Sequence, residues 1–306
     1  MTTSDSSDLR PAGHSLGRRG ATRLCRMAVA AAILAGCGGA QDAGTNTAAN
    51  APGEENREHE TGHAAHWGYE SDNGPATWGS MNADWALCAS GEEQSPIDLG
   101  RWTEKALPAM RIDALSAREL TLVNQAGVVE ELDNGHTIQV NVPVPNALAV
   151  GDKSYSLRQF HFHSPSEHTV DGKHYPMEIH FVNEADDGSL AVVGVFVEEG
   201  EANAAIDALW ANLPDAPGTE VQATMPDGLV RSLLSGVEDG VFHYTGSLTT
   251  PPCSEGVSWF VKRTPARLSR SQIAKFQALY DHNNRPTQPL NGREVYRDDD
   301  PVAEVL

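Results

Sequence analysis

His161 and His163 are separated by one residue in the run Gln159-Phe160-His161-Phe162-His163, and His180 follows in Met177-Glu178-Ile179-His180-Phe181. Side chains alternate between the two faces of a β-strand. A strand over the first run therefore places Gln159, His161 and His163 on one face and the two phenylalanines on the other. The same parity joins Glu178 to His180, opposite Ile179 and Phe181. Three neutral imidazoles would leave a bound Zn2+ its full charge and one open coordination position, the layout of a catalytic rather than a structural zinc. That points to hydrolytic or hydration chemistry. Gln159 and Glu178 stand where they can accept the second ring N–H of His161 and His180, which fixes the tautomer and raises ligand basicity. An isolated His-x-His pair fits a solvated strand face better than a metal site. The flanking aromatics, the third histidine and its carboxylate reverse that balance.

The elements that must hold these residues read mainly as strands. Apolar runs of strand length lie at 120–123, 136–142, 157–163, 177–182, 191–197 and 257–261. Asp133-Asn134-Gly135 and Asp171-Gly172 are turn signals between them. Helical pattern is scarcer, clearest at 202–213 and 271–281, with Ser269 or Ser271 as the cap of the second. The expected fold is mainly β with peripheral helices: a single domain around a large, mostly antiparallel, twisted central sheet, with the zinc site on central strands.

Ahead of this domain the chain reads differently. Residues 1–26 are polar and carry Arg10, Arg18, Arg19, Arg23 and Arg26, and 27–36 is a ten-residue apolar run. That run is too short to span a bilayer and suits an export signal. Leu34-Ala35-Gly36-Cys37 resembles a bacterial lipoprotein cleavage box, so 1–36 reads as a signal peptide and Cys37 as the lipidated first residue; a cleaved soluble signal with a chance cysteine is the alternative. Residues 37–65 lack apolar periodicity and read as a disordered tether, with His59, His63 and His66 as solvated tail, and the domain runs from 66 to 306. Loss of 1–36 leaves 17 basic against 40 acidic residues, a net charge of −23. So acidic a surface repels phosphate and excludes nucleic acid as a partner. Cys88 and Cys253 are the one cysteine pair left after export, and oxidising surroundings favour a disulfide between them; two separate buried thiols are the alternative.

Six motifs then occur in order: His66-Trp67-Gly68-Tyr69, Gln94-Ser95-Pro96-Ile97-Asp98, Asn134-Gly135-His136, Gln159 to His163, Ser166-Glu167-His168-Thr169 and Gly246-Ser247-Leu248-Thr249-Thr250-Pro251-Pro252. Together, over about residues 66–298, they resemble the alpha class of carbonic anhydrases. The resemblance implies zinc on His161, His163 and His180 and reversible hydration of carbon dioxide to bicarbonate and a proton by attack of zinc-bound hydroxide. It implies that Thr249 accepts a hydrogen bond from that hydroxide while donating to Glu167, and that the Thr249 backbone N–H meets a substrate or sulfonamide oxygen. Val182, Val192, Leu248, Thr250 and Trp259 would line the substrate pocket, with Tyr69, Asn134 and Gln139 holding a water network. His136 would be the proton shuttle, a partly exposed imidazole titrating near pH 6.5.

The resemblance also implies inhibition by sulfonamides and anions and a disulfide where secreted members carry one, at Cys88 and Cys253, while the cleavage box implies membrane contact only through a lipid on Cys37 and residence in the periplasm or at the cell surface. Ser164-Pro165-Ser166-Glu167 is shorter than the animal linker and lacks its Trp-Gly pair, as in bacterial members. His243 shares a loop with the Tyr244 to Pro252 motif and has no assigned role. A non-catalytic carbonic-anhydrase-like binding or adhesion protein is the rival reading, but such relatives typically lose a zinc histidine and all three are present here.

Overall fold

The computed structural model describes residues 66–112, 119–125, 135–142, 148–211, 213–214, 216–299, 301 and 304–305. The export segment, Cys37, the tether up to 65 and Asn134 lie outside them. Thirteen strands share one sheet: β1 (Thr103–Glu104), β2 (Met110–Ile112), β3 (Glu119–Gln125), β4 (Thr137–Asn141), β5 (Leu148–Val150), β6 (Lys153–His163), β7 (Met177–Glu184), β8 (Leu190–Glu199), β9 (Glu220–Thr224), β10 (Val241–Ser247), β11 (Glu255–Leu268), β12 (Tyr296–Asp298) and β13 (Glu304–Val305). The main path runs β1-β12-β10-β11-β8-β7-β6-β4-β3-β9, and β5, β2 and β13 branch from β6.

The sheet is mostly antiparallel, as the sequence suggested, but mixed: three of the pairings among the described residues are parallel. β8 and β11, at its centre, run parallel, as do the outer pairs β1 with β12 and β2 with β13. A parallel neighbour requires a long crossover. Residues 200–254 provide one between β8 and β11. β8 (LAVVGVFVEE) is accordingly buried along nearly its whole length, the continuous apolar run of a strand covered on both faces.

Core side chains divide between the two faces. Phe160, Phe162, Phe181, Val193 and Val195 pack under the helices with Ile206, Trp210, Leu229, Leu233 and Phe276. On the opposite side Val192, Phe196, Trp259 and Val261 pack with Ile97, Leu99 and Tyr244. Five short helices, α1 (Trp78–Met81), α2 (Leu87–Ser90), α3 (Ala204–Trp210), α4 (Leu229–Leu234) and α5 (Arg270–Gln277), lie around the sheet. α3 and α5 fall within or beside the two stretches with helical pattern. Asn203 caps α3 through the N–H groups of Ala205 and Ile206, and Ser269 with Gln272 forms a capping box at α5. β10 replaces what read as a loop: it pairs with β11 and β12, so His243 is a strand residue, its Nδ1 donating to the Trp259 carbonyl at 2.8 Å and its ring stacked on Phe260.

Cys88 of α2 and Cys253, in the loop that follows β10, are bonded, with Cα atoms 5.1 Å apart across 165 positions of sequence. Cross-linking constrains the unfolded chain. The double variant Cys88→Ala/Cys253→Ala should lose about 2–4 kcal/mol of unfolding free energy in denaturant titrations; an unchanged midpoint would show that the bond adds nothing to stability.

Candidate metal centre

β6 and β7 pair antiparallel with His161 directly opposite His180, His163 opposite Glu178, and Phe160 opposite Phe181. Directly opposed residues share a face of the sheet. The three imidazoles therefore converge, with one nitrogen from each within 4.8 Å of the others and ring centroids 4.6 to 5.3 Å apart.

Their remaining nitrogens each lie beside an acceptor, although His180 Nε2 makes no well-aligned hydrogen bond. His161 Nδ1 donates to Gln159 Oε1 at 2.8 Å. His163 Nδ1 donates to the Asn283 carbonyl at 2.7 Å, and His180 Nε2 lies 3.0 Å from Glu178 Oε1. The sequence offered an acceptor for two of the three rings; the third is a backbone carbonyl, which no residue type announces. The free sides are thus Nε2 of His161, Nε2 of His163 and Nδ1 of His180. His163 Nε2 is buried without a hydrogen-bond partner. Burial pushes the His161 pKa well down, helped by His163 and His180, and burial also lowers that of His163. For His161 and His163 this favours the neutral imidazole, the form that ligates. Donor type, convergence and an unpartnered buried nitrogen together fit Zn2+.

Glu178 does more than face His180. Its Oε2 accepts the backbone N–H of Glu167 at 2.9 Å and of His168 at 2.8 Å, and its Oε1 accepts His168 Nδ1 at 2.7 Å. Burial alone would raise its pKa, but His168 and His180 hold it well below the usual carboxylate range. The chain continues from His168 Nε2 to the Tyr244 hydroxyl at 2.6 Å and on to Ser95 Oγ at 2.8 Å. His168, Glu178 and His180 also approach one another closely, but they bond to each other and form the brace of the centre. Gly194, opposite His180 on β8, leaves room for it: a Cβ there would stand 3.0 Å from Glu178 Oε1.

Glu167 is fully buried. Its Oε1 accepts the Arg285 backbone N–H at 2.8 Å, while Oε2 lies 3.6 Å from His163 Nε2 and 3.8 Å from His180 Nδ1 and has no hydrogen-bond partner. The hydrogen bond from Thr249 to Glu167 that the family resemblance implies is therefore not formed in this structure. Oε2 is turned toward the ring nitrogens instead. Thr249 is buried in the loop after β10, and that loop is closed by Leu248 N–H to the Ser254 carbonyl and Cys253 N–H to the Thr250 carbonyl.

Beside the histidines runs an apolar row. Val182, Val192 and Trp259 are register partners across β7, β8 and β11 on the face of His180, Leu248 packs against the same cluster, and the Trp259 ring lies 4.8 Å from that of His180. Gln139 is the β4 partner of His161 and gives its amide to Asn141 at 2.6 Å. Tyr69 has its pKa raised well above the usual phenol value by burial and then by Glu167.

His136 differs from expectation. Its ring is only 3 % exposed and stacks on Trp67, with centroids 3.7 Å apart and planes 8° from parallel. Its pKa is lowered to about 4, by burial first and then by His66. Trp67 lies flat over the imidazole and removes the solvent that a partly exposed shuttle would have. His66, expected in a solvated tail, has both ring nitrogens buried and its ring centroid 5.5 Å from that of His136. A cavity of about 610 Å³ is lined by His136 together with Tyr69, Asn73, Tyr280, His282 and Asn283. None of the three clustered histidines lines it.

Comparison with known proteins agrees with this geometry. The family model for eukaryotic-type carbonic anhydrase matches residues 73–299. A carbonic anhydrase of Pectobacterium carotovorum is 40% identical over 235 residues, 76% of this chain and 91% of that protein. The alpha-carbonic anhydrase of Thermovibrio ammonificans, solved with the inhibitor sulfanilamide, is 39% identical and superposes with a TM-score of 0.68 over 76% of this chain and 99% of its own. A hyperthermostable carbonic anhydrase from a hydrothermal vent chimney is 40% identical, with a TM-score of 0.68 over 76% of this chain and 100% of its own. Register, buried donors and similarity along nearly the whole described domain converge: the chain belongs to the eukaryotic-type carbonic anhydrase family.

Proposed function

We infer that this domain catalyses the reversible hydration of carbon dioxide to bicarbonate and a proton, with Zn2+ held by His161, His163 and His180. The observation that carries the reading is the convergence within 4.8 Å of one nitrogen from each of three imidazoles, His163 and His180 buried and His161 partly so, while the opposite side of each ring faces its own acceptor. When bound, zinc supplies the Lewis acidity that makes hydroxide available at neutral pH; carbonic anhydrase is itself the standard case, with a water pKa of about 7.

The chain's own residues do the rest. A hydroxyl can donate one hydrogen bond and accept two. Rotation of the Thr249 side chain toward Glu167 Oε2, the buried oxygen without a partner, lets it donate there and accept from the attacking O–H, which fixes the direction of attack. Val182, Val192, Leu248 and Trp259 offer an uncharged wall to an uncharged substrate, with Thr250 at its edge. The Thr249 N–H takes a substrate oxygen or, by analogy with the sulfanilamide complex of the Thermovibrio ammonificans enzyme, a sulfonamide oxygen. Anions would compete for the same position. His136 carries the released proton outward when its ring leaves Trp67, and Tyr69, Asn134 and Gln139 order the water between. The complete histidine set weighs against a non-catalytic binding role. Export is supported by the Cys88–Cys253 disulfide and by the signal-like 1–36, with Cys37 as the lipid-bearing residue in the periplasm or at the cell surface. Among the described residues no helix is long and apolar enough to cross a membrane.

Stopped-flow hydration on zinc-replete protein is the direct test. Activity should disappear on chelation and return with zinc, and an inactive protein carrying one zinc per chain would sink the assignment. Thr249→Ala should lower kcat about 10²-fold, the usual loss for one orienting hydrogen bond in an active site. His136→Ala should lower turnover in dilute buffer, with partial rescue by added imidazole; no change in dilute buffer would remove the shuttle role. NMR titration should place His136 near pH 4, and Trp67→Ala should move it up toward 6.5. An unmoved value would mean that Trp67 is not what buries the ring.

A further inference from the structure

Arg285 is 1 % exposed. Among the described residues no carboxylate forms an ion pair with its guanidinium, whose hydrogen bonds all go to uncharged acceptors. Nη1 donates to Gln94 Oε1 at 2.9 Å and to the Ser95 carbonyl at 2.7 Å, Nη2 donates to the Cys88 carbonyl at 2.9 Å, and Nε has no partner. A buried charge without a bonded counter-ion is costly to the fold. The Trp78 ring, with its centroid 5.7 Å from the guanidinium carbon, offsets part of that cost, and the residue does more than pack.

The contacts of the same residue indicate what. Its backbone N–H is the donor that holds Glu167 Oε1. Two positions earlier Asn283 gives its carbonyl to His163 Nδ1, accepts the Ser164 N–H on Oδ1, and donates from Nδ2 to the carbonyls of His136 and Phe162. The segment from 283 to 285 is thus fixed at one end by Asn283 and at the other by the Arg285 side chain. That side chain reaches both halves of the cystine: Cys88 directly, and Cys253 through Gln94, whose Nε2 donates to the Cys253 carbonyl at 3.0 Å. One amide can set the orientation of a carboxylate only if the amide is itself held still. The guanidinium is one of the two anchors on this segment, the other being Asn283.

We propose that Arg285 is a positioning residue for Glu167: its guanidinium, anchored on Cys88, Ser95 and Gln94, presses its own backbone N–H against Glu167 Oε1, so that Oε2 stays directed into the site for Thr249. The proposal rests on the orienting role given to Glu167 above. Buried groups that support active residues typically change activity 10- to 100-fold when removed.

The test uses the full-length, zinc-loaded protein, with zinc content, thermal unfolding, kcat and KM for carbon dioxide measured on each variant. Arg285→Met should bind one zinc and lose about ten-fold or more in kcat at unchanged KM. Arg285→Lys, which keeps the charge and some donors, should recover part of the loss. In a Glu167→Gln background the same Arg285→Met change should cost nothing further. Lower melting temperature with full kcat per bound zinc would reduce Arg285 to a structural role and overturn the proposal, as would equal losses in the two backgrounds. If Glu167→Gln alone leaves the rate intact, the orienting role of Glu167 fails and that of Arg285 falls with it. Should Arg285→Met not fold, Gln94→Met, which removes one anchor only, should show the same kcat effect in smaller measure, and a full kcat there would count against the strut.

Discussion

The register between β6 and β7 is the constraint on which the centre depends. With His161 opposite His180, three imidazoles share a face, and a slip of one residue would turn every side chain of one strand to the other side. The slip is opposed from both faces. Phe160 and Phe162 are wedged among Phe181, Trp210 and Phe276 with ring centroids 5.2 to 5.9 Å apart. Moving them into the site would leave imidazoles in an apolar core and phenyl rings where donors are needed. The packing on the helix side thereby specifies the ligand geometry on the other.

Burial has opposite consequences for the two carboxylates beside the histidines. Glu178 is saturated with donors, from two backbone amides and His168, and lies within reach of His180. Glu167 has one oxygen bonded and one buried without a partner. Buried polar atoms are nearly always hydrogen-bonded, and what sets Glu167 Oε2 apart from the other unpartnered atoms, such as Arg285 Nε, is that it is a carboxylate oxygen beside the clustered histidines. Glu178 is best understood as scaffold, since its contacts end in the Tyr244 and Ser95 network. Glu167 differs because its open oxygen faces the ring nitrogens.

Strand parity was legible in β6 and β7 because aromatic and polar residues alternate there with period two, and the apolar run of β8 needed no partner to be read. What escaped reading acts through backbone or through distance. The acceptor for His163 is a carbonyl 120 positions away, and carbonyls leave no trace in residue identity. Arg285 looks like any surface arginine until the segments around Cys88, Ser95 and Gln94 surround it. β10 reads as loop in the sequence because it runs into the Thr-Pro-Pro motif, yet pairing on both edges makes it a strand. His136 carries no mark of burial either, because Trp67, which covers it, is 69 positions earlier in the chain.

Ligands and tuning groups consequently sit on different kinds of support. The histidines lie on central strands next to the buried β8, where neighbours on both edges fix the backbone. Glu167, Thr249 and Arg285 lie on connecting segments, held by long-range hydrogen bonds and by a disulfide that joins α2 to the Thr249 loop. Rigid elements place ligands more accurately than loops do. On the proposed assignment, metal retention and reactivity are therefore separable: disturbing the connecting segments would alter how a substrate is attacked while the strands continued to hold the histidines in place.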